Sequence, residues 1–354
     1  MKKKQLVRKN VRKMSGYVAG EQPGTLRYIK LNTNENPYPP SPKVLEAIKK
    51  AGRKELRLYP DPDLTPLIRR ASRVYNVPEN CILGGNGSDE LLAILTRVFA
   101  GEGDRVVYPH PTYTLYETLV HIQGAEPVTV PFPDDYTLPE EISSVPGKIL
   151  FLANPNSPSG TFTPAGTIKK VARKFGGIVV VDEAYVDFAE ETALGLVGSC
   201  DNVVVLRSFS KSFSLAGIRL GLSFAPAWIT DEMRKVKDSY NVNSISLTAG
   251  CAALGHMPWM RRNAKKIVRT RERLTASLEK LGFFVFPSAA NFVLARIKGV
   301  GLNGLYRDLK KKKILVRYFN TERLFDCVRI TVGTDEEIDI LLKNLERITG
   351  KPGS

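Results

Sequence analysis

Short apolar runs alternate with helix-like patterns through most of the first 225 residues of this chain. These runs predict strands at Cys81–Gly84, Arg105–Tyr108, Glu126–Val130, Lys148–Leu152, Ile178–Val181, Val203–Leu206 and Leu220–Ala225. Helical patterns such as Thr112–Gln123 and Pro164–Phe175 separate several of them. Because parallel strands need long crossover connections, the alternation predicts an α/β fold: a mostly parallel, seven-stranded sheet covered by helices.

The sequence pattern changes after about residue 243. A long helical pattern, Trp259–Leu281, is followed by short strands and two further helices, which is typical of an α+β unit. Ahead of residue 41, the glycines, prolines and asparagines predict an irregular arm. We therefore expect an N-terminal arm over residues 1–40 that packs with the small domain, a large domain over 41–250 and a small C-terminal domain over 251–354.

Polar side chains follow three of the predicted strands, at the point where each strand ends. They are Asn156 in ANPNSPSG, Asp182 in VVVDEAYVDF and Lys211 in LRSFSKSFSLAGIRLG. Open α/β sheets bind ligands in a crevice at the carboxyl ends of their strands. A partly desolvated lysine beside a fixed cation can attack a carbonyl and form a Schiff base. The serine hydroxyls around Lys211 and the guanidinium of Arg219 can grip a phosphate.

Composition narrows the classes of partner. The net charge of +16, from 52 basic and 36 acidic residues, favours anionic partners. Four cysteines lie far apart without a CxxC pair, which argues against both a zinc site and a disulfide scaffold, so no metal is expected. No apolar run is long enough to predict a signal peptide or a membrane span, and we expect a cytoplasmic protein without membrane partners.

The combined motifs resemble a known family. Asn156, the pair Asp182 and Tyr185 in Asp-x-x-Tyr, and Ser-x-Ser-Lys ending at Lys211 resemble the fold-type-I, class II aminotransferases that use pyridoxal 5'-phosphate. Within them the chain is most similar to the histidinol-phosphate aminotransferase family, from Tyr17 to the C-terminal helix. The resemblance implies transamination of histidinol phosphate with 2-oxoglutarate, giving imidazole-acetol phosphate and glutamate in histidine biosynthesis. It also implies a homodimer.

The resemblance further implies roles for the strand-end residues. Lys211 would bond to the cofactor and move the substrate proton, Asp182 would pair with the ring nitrogen, and Tyr185 would donate to the phenolic oxygen. An asparagine should share that oxygen. The family usually places it directly before Pro-x-Gly, where this chain has Ser157, with Asn156 one position earlier. Either residue can take the role, and we select Asn156.

Three further sets of site residues follow from the same resemblance. The expected cofactor-phosphate anchors are Gly87, Ser88, Asp89, Ser208, Ser210 and Arg219. Ser212 and Ser214 are interpreted as caps of a following helix. Tyr113 is expected to stack on the cofactor ring, and Tyr59 to reach the phosphate of the partner subunit's cofactor. The expected substrate-binding residues are Tyr17, Asn156, Arg317 and Arg329.

Other functions stay open at this point. A threonine-phosphate decarboxylase and an aromatic-amino-acid aminotransferase would share the scaffold and the cofactor site. A nucleic-acid-binding protein is a remote alternative, because the basic charge has no accompanying nucleic-acid motif.

Overall fold

The computed structural model describes residues 6–17, 20–24, 28–52 and 56–350. Residues 1–5, 18–19 and 25–27 of the expected arm lie outside the described residues. The strands are β1 (Ile29–Leu31), β2 (Ile82–Gly85), β3 (Arg105–His110), β4 (Glu126–Pro131), β5 (Ile149–Ala153), β6 (Ile178–Asp182), β7 (Val203–Ser208), β8 (Gly221–Phe224), β9 (Phe284–Val285), β10 (Phe292–Arg296), β11 (Ile314–Tyr318) and β12 (Cys327–Thr331). The α-helices are α1 (Lys9–Lys13), α2 (Pro42–Ala51), α3 (Thr65–Tyr75), α4 (Ser88–Phe99), α5 (Leu115–Gln123), α6 (Ala165–Lys174), α7 (Ala227–Val236), α8 (Ser244–Leu254), α9 (Met257–Lys280), α10 (Asn303–Lys311) and α11 (Asp335–Thr349).

A seven-stranded sheet with the order β2-β8-β7-β6-β5-β3-β4 forms the larger unit. Its strands pair in parallel except β8, which runs antiparallel to both β2 and β7. The predicted α/β fold with a mostly parallel sheet is confirmed. The four central strands β5, β6, β7 and β8 are almost completely buried, as expected of strands covered by helices on both faces.

A five-stranded sheet with the order β1-β11-β12-β10-β9 forms the smaller unit. The pairings among β9 to β12 are antiparallel, whereas β1 pairs in parallel with β11. Strand β1 comes from the N-terminal arm, so the beginning of the chain completes an edge of a sheet built from its last third.

Local sequence signals account for several element boundaries. Ser41 caps α2 by accepting a hydrogen bond from the backbone N–H of Lys43, and Pro42 occupies the first helical position. Thr334 and Glu337 form a reciprocal capping box at the start of α11. Gly87, with φ of 84°, turns the chain into α4 in a conformation that strongly favours glycine.

The arm contacts both units. The amide of Asn10, in α1, donates to the carbonyl oxygens of His121 and Ile122 at the end of α5, which covers the large sheet. Glu21 lies farther along the arm and accepts hydrogen bonds from Tyr306 and Lys310 of α10, in the small unit. The arm therefore bridges the two units, where the sequence indicated packing with the small domain.

Two further details differ from the sequence interpretation. The chain after Ser210 forms turns and a short 3-10 segment, Ala216–Ile218, so Ser212 and Ser214 cap no helix there. The expected domain boundary at residue 250 falls inside α8, a helix that packs against α2 and α3. Gly250 faces Leu220 and Leu67 so closely that an added Cβ would lie 2.3 Å from a Leu220 methyl carbon. Because α8 thus packs as part of the larger unit, we place the boundary after its end.

Candidate active site

A cavity opens at the carboxyl ends of β5, β6 and β7, where the arm and the small sheet meet the large sheet. Because these three strands are neighbours in the sheet, their final residues come together at one edge. The expected site residues that line it are Tyr17, Ser88, Asp89, Tyr113, Asp182, Tyr185, Ser208, Ser210, Lys211, Arg219, Arg317 and Arg329.

Lys211 lies in the wall formed by the turn after β7. Its Nζ is 3.3 Å from the carbonyl oxygen of Thr33, to which it donates, and 5.5 Å from the centre of the Tyr185 ring. The amide of Asn36 donates to the backbone oxygens of Lys211 and Ser212, which fixes this turn. The half-buried Lys211 side chain therefore places its amine at the cavity wall beside an aromatic ring, where a bound ligand can meet it.

Asp182, the last residue of β6, is a buried carboxylate. Tyr116 donates to its Oδ2 at 3.2 Å and the backbone N–H of Ala184 donates to its Oδ1 at 3.2 Å. Burial, followed by the negative charge of Asp89, raises the pKa of Asp182 to about 6. Among the described residues, no lysine, arginine or histidine forms an ion pair with Asp182. A buried acid facing a cavity in this way fits a ligand that brings its own positive charge.

An anion cradle lies at the N-terminus of α4. Arg219 forms an ion pair with Asp89 at 3.0 Å and reaches the hydroxyl of Ser210 at 3.4 Å. A Cβ on Gly221 would lie 2.7 Å from the backbone of Gly87 and Ser88, so only glycine lets β8 approach this turn so closely. The free backbone N–H groups of the helix start, the hydroxyls and the guanidinium together suit a phosphate group.

Two arginines face each other on the small sheet. Arg317 of β11 and Arg329 of β12 are direct register partners, and both line the cavity. Like charges directly opposite on a sheet repel each other. Burial, with a contribution from Arg317, lowers the pKa of Arg329. In the part of the chain that the structure describes, the buried Nε of Arg329 has no hydrogen-bond partner. A doubly charged anion between the two guanidinium groups would relieve this repulsion.

The turn after β5 places Ser157 at the cavity in preference to Asn156. Ser157 lines the cavity and accepts a hydrogen bond from Arg329 at 3.0 Å. Asn156 is buried, and its amide bonds to the hydroxyls of Thr112 and Ser159 and to a backbone oxygen. The choice of Asn156 as a ligand-binding residue therefore disagrees with this geometry, because its amide is already occupied by the turn that it stabilises. Ser157 is the residue available to a ligand.

The expected aromatic residues occupy two different places. Tyr113 and Tyr17 line the cavity, with their rings in edge contact at 6.0 Å, and Tyr113 donates to Asp89 at 3.1 Å. Burial raises the pKa of Tyr113 well above its ordinary value. Tyr59 instead lies outside the cavity, 81% exposed and stacked on Tyr240. Tyr59 is therefore absent from the described lining of its own chain's cavity.

Sequence reasoning missed the contribution of the arm segment LNTNENP. Thr33, Asn34 and Glu35 line the cavity, and Asn34 is almost fully buried. The available signal was the run of asparagines, which are seldom buried unless their amides are fully hydrogen-bonded.

The described residues contain neither a metal-binding cluster nor a membrane-spanning helix. No group of three or more His, Cys, Asp or Glu side chains in them is arranged to hold a metal ion. None of their helices is both long enough and apolar enough to cross a membrane.

This chain is similar to known proteins over nearly its whole length. The family profile described as "Aminotransferase class I and II" matches residues 27–345. A protein named histidinol-phosphate aminotransferase from Rippkaea orientalis is 42% identical over 344 residues, covering 97% of this chain and 99% of the relative. A protein of the same name from Citrifermentans bemidjiense is 45% identical over 344 residues, covering 97% of this chain and 98% of the relative.

A solved structure resembles the whole arrangement. The crystal structure of histidinol-phosphate aminotransferase from Sinorhizobium meliloti in complex with pyridoxal-5'-phosphate superposes with a TM-score of 0.85 at 27% identity. The match covers 91% of this chain and 90% of that structure.

Proposed function

Because this chain belongs to the aminotransferase class I and II family, we propose that it transfers the amino group of histidinol phosphate to 2-oxoglutarate with the help of pyridoxal phosphate. The products are imidazole-acetol phosphate and glutamate, in histidine biosynthesis. The observation that carries the choice of substrate is the facing pair Arg317 and Arg329, which suits a phosphate dianion at the substrate end of the cavity.

The residues present fit three polar groups of pyridoxal phosphate: the ring nitrogen, the phosphate and the aldehyde. When bound, pyridoxal phosphate supplies an aldehyde for the amino group and a ring that withdraws electrons from the substrate carbon. Asp182 would keep the ring nitrogen protonated, which explains a buried carboxylate without a cationic partner. The cradle around Arg219, Ser208 and Ser210 would hold the phosphate, and Lys211 supplies the amine that reaches the aldehyde.

Other side chains that line the cavity would transfer the proton, cover the ring and orient the substrate. The Lys211 amine would remove the proton from the substrate carbon that bears the nitrogen and return it at the cofactor's carbonyl carbon. Tyr113 forms one wall beside Asp182, in position to cover one face of a flat ring. Arg317, Arg329 and Tyr17 would orient the substrate by its phosphate, and Ser157 holds Arg329 from the opposite wall.

We also propose that the protein acts as a homodimer. Leu56, Leu58, Tyr59 and Tyr240 are large apolar residues that this single chain leaves more than 45% exposed. Such a cluster is typical of a surface covered by a partner. Tyr59 would then contribute to the cofactor phosphate of the partner subunit.

The decisive experiment combines spectroscopy with product analysis. The purified protein should be yellow with bound pyridoxal phosphate, and borohydride should fix the cofactor covalently to the wild type but not to Lys211→Ala. Glutamate should form from histidinol phosphate and 2-oxoglutarate. Release of carbon dioxide from threonine phosphate, or a strong preference for aromatic amino acids, would contradict the substrate assignment while leaving the cofactor assignment intact. Salt-dependent DNA binding without a bound cofactor would contradict both.

A further inference from the structure

The side chain of Asn34 reaches across the cavity to Tyr185. Its Nδ2 donates a hydrogen bond to the phenolic oxygen of Tyr185 at 3.0 Å, and Asn34 is only 1% exposed. An amide nitrogen carries donors and no acceptor. The Tyr185 oxygen must therefore accept this bond, and its own proton has to point elsewhere.

A second residue fixes which end of the Asn34 amide faces Tyr185. The backbone N–H of Asn34 donates to Oγ1 of Thr331 at 3.0 Å, and the same hydroxyl lies 3.0 Å from Oδ1 of Asn34. The Thr331 hydroxyl, which accepts from this N–H, also donates its proton to Oδ1 of Asn34, and the opposite end of the amide, Nδ2, donates to Tyr185. The amide of Asn291 also donates to the Asn34 carbonyl at 3.0 Å. It supports the left-handed backbone of Asn34, with φ of 56°.

We propose that Asn34 is a positioning residue that directs the hydroxyl proton of Tyr185 into the cavity, toward the phenolic oxygen of pyridoxal phosphate, and that Thr331 holds the Asn34 amide for this task. The inference rests on the proposed function, because it needs the cofactor in the cavity. The amine of Lys211 lies 5.5 Å from the centre of the Tyr185 ring, and Phe292 packs edge-on against that ring at 5.0 Å. Arg329, with its guanidinium 5.1 Å from the Phe292 ring centre, is the charge behind Phe292.

The three members of this hydrogen-bond chain come from three parts of the fold. Asn34 belongs to the arm, Thr331 ends β12 of the small sheet, and Tyr185 follows β6 of the large sheet. The orientation of the Tyr185 proton therefore depends on contacts made by both the arm and the small sheet.

The test is a pH titration of the absorbance of bound pyridoxal phosphate in the full-length holoenzyme. A donor at the phenolic oxygen stabilises the deprotonated, more anionic form of the bound cofactor, so a weaker donor moves the midpoint to higher pH. Asn34→Gly keeps the left-handed backbone free of strain and removes the amide. It should raise the midpoint by roughly half to one pH unit, the scale of one hydrogen bond.

Variants of Thr331 and Tyr185 distinguish a positioning role of Asn34 from a nonspecific disturbance of the site. Thr331→Val should shift the midpoint in the same direction, and Thr331→Ser, which keeps the hydroxyl, should restore it. In a Tyr185→Phe background, Asn34→Gly should cause no further shift, because the proton that it directs is gone. An unshifted Asn34→Gly midpoint, or a shift that persists undiminished in the Tyr185→Phe background, would overturn the inference. A wild-type protein that acquires no cofactor absorbance at all would overturn the proposed function, and the inference with it.

Discussion

The hydroxyl of Tyr116 donates a hydrogen bond to Oδ2 of Asp182, 3.2 Å away, and both groups are buried beneath the cavity. This neutral donor is a weaker partner for a carboxylate than a cation would be. Burial, followed by the negative charge of Asp89, raises the pKa of Asp182 from the ordinary 3.8 to about 6, and the Tyr116 bond offsets only part of this rise. The charged form of Asp182 is therefore destabilised until a ligand with a positively charged ring nitrogen binds beside it.

The first prediction concerns the stability of the cofactor-free protein. Because the folded pKa of Asp182 lies above its unfolded value, the folded state binds more protons between about pH 4 and pH 6. The contribution of Asp182 to the free energy of unfolding therefore falls as pH rises through that window, by roughly 3 kcal/mol for a shift of about two pKa units. Urea unfolding should show Asp182→Asn gaining stability relative to wild type as pH rises from 4 to 7. Equal pH slopes for the two proteins would contradict this account.

The second prediction concerns the anion cradle. Arg219 is held at the N-terminus of α4 by Asp89 and Ser210, where it would meet the cofactor phosphate. Arg219→Gln should weaken pyridoxal phosphate binding roughly ten- to a hundredfold, the value of a charge-assisted hydrogen bond. Pyridoxal without the phosphate serves as the matched ligand, and its affinity should change little. Equal losses for both ligands would show that Arg219 acts only through the fold.

The third prediction separates substrate recognition from stability. Arg317→Gln should raise KM for histidinol phosphate roughly ten- to a hundredfold, while activity on unphosphorylated histidinol, already weak, stays nearly unchanged. Removing Arg317 also relieves the repulsion with Arg329, its register partner. The melting temperature of the substrate-free variant should therefore equal or exceed that of the wild type. A lower melting temperature would mean that Arg317 is structural.

The fourth prediction concerns a buried ion pair behind the site. Nε of Arg207 lies 2.9 Å from Oε2 of Glu183, a carboxylate with no side-chain exposure. Breaking such a pair leaves a buried charge, so Arg207→Met should lower the free energy of unfolding by roughly 3–5 kcal/mol. Arg234 pairs with Asp231 on the surface and provides the matched control, because Arg234→Met should cost less than about 1 kcal/mol. Urea unfolding at pH 7 measures both, and similar losses would refute the distinction.

The central strands were predictable because their sequences carry strong local signals. Val179, Val180 and Val181 form a run that only a covered strand accommodates, and the polar residue after it, Asp182, had to lie at the sheet edge. The same reasoning placed Lys211 at that edge. These positions follow from periodicity and topology, and need no knowledge of distant contacts.

Other features depend on contacts between segments far apart in the chain. Whether Asn156 or Ser157 faces the cavity depends on how one turn packs against Thr112 and Arg329, which no local pattern records. The bond between Asn34 and Tyr185 joins two residues that are 151 positions apart in the chain, one in the arm and one after β6. The pattern around Ser212 is typical of a helix cap, but its hydroxyl donates to the carboxylate of Asp187, which also forms an ion pair with Arg207.

The parallel pairing of β1 with β11 sets an order of events during protein synthesis. Ile29 pairs with Ile314, so the wall that Thr33 and Asn34 contribute cannot form until nearly all of the chain has left the ribosome. Translation proceeds at roughly 5–20 residues per second, and domains fold as they emerge. The strands of the large sheet can thus pair several seconds before β11 is available to β1. A nascent chain arrested before residue 314 should therefore already carry Lys211 and Asp182 at the end of a formed sheet, while the arm still lacks the strand that anchors Thr33 and Asn34 beside the cavity.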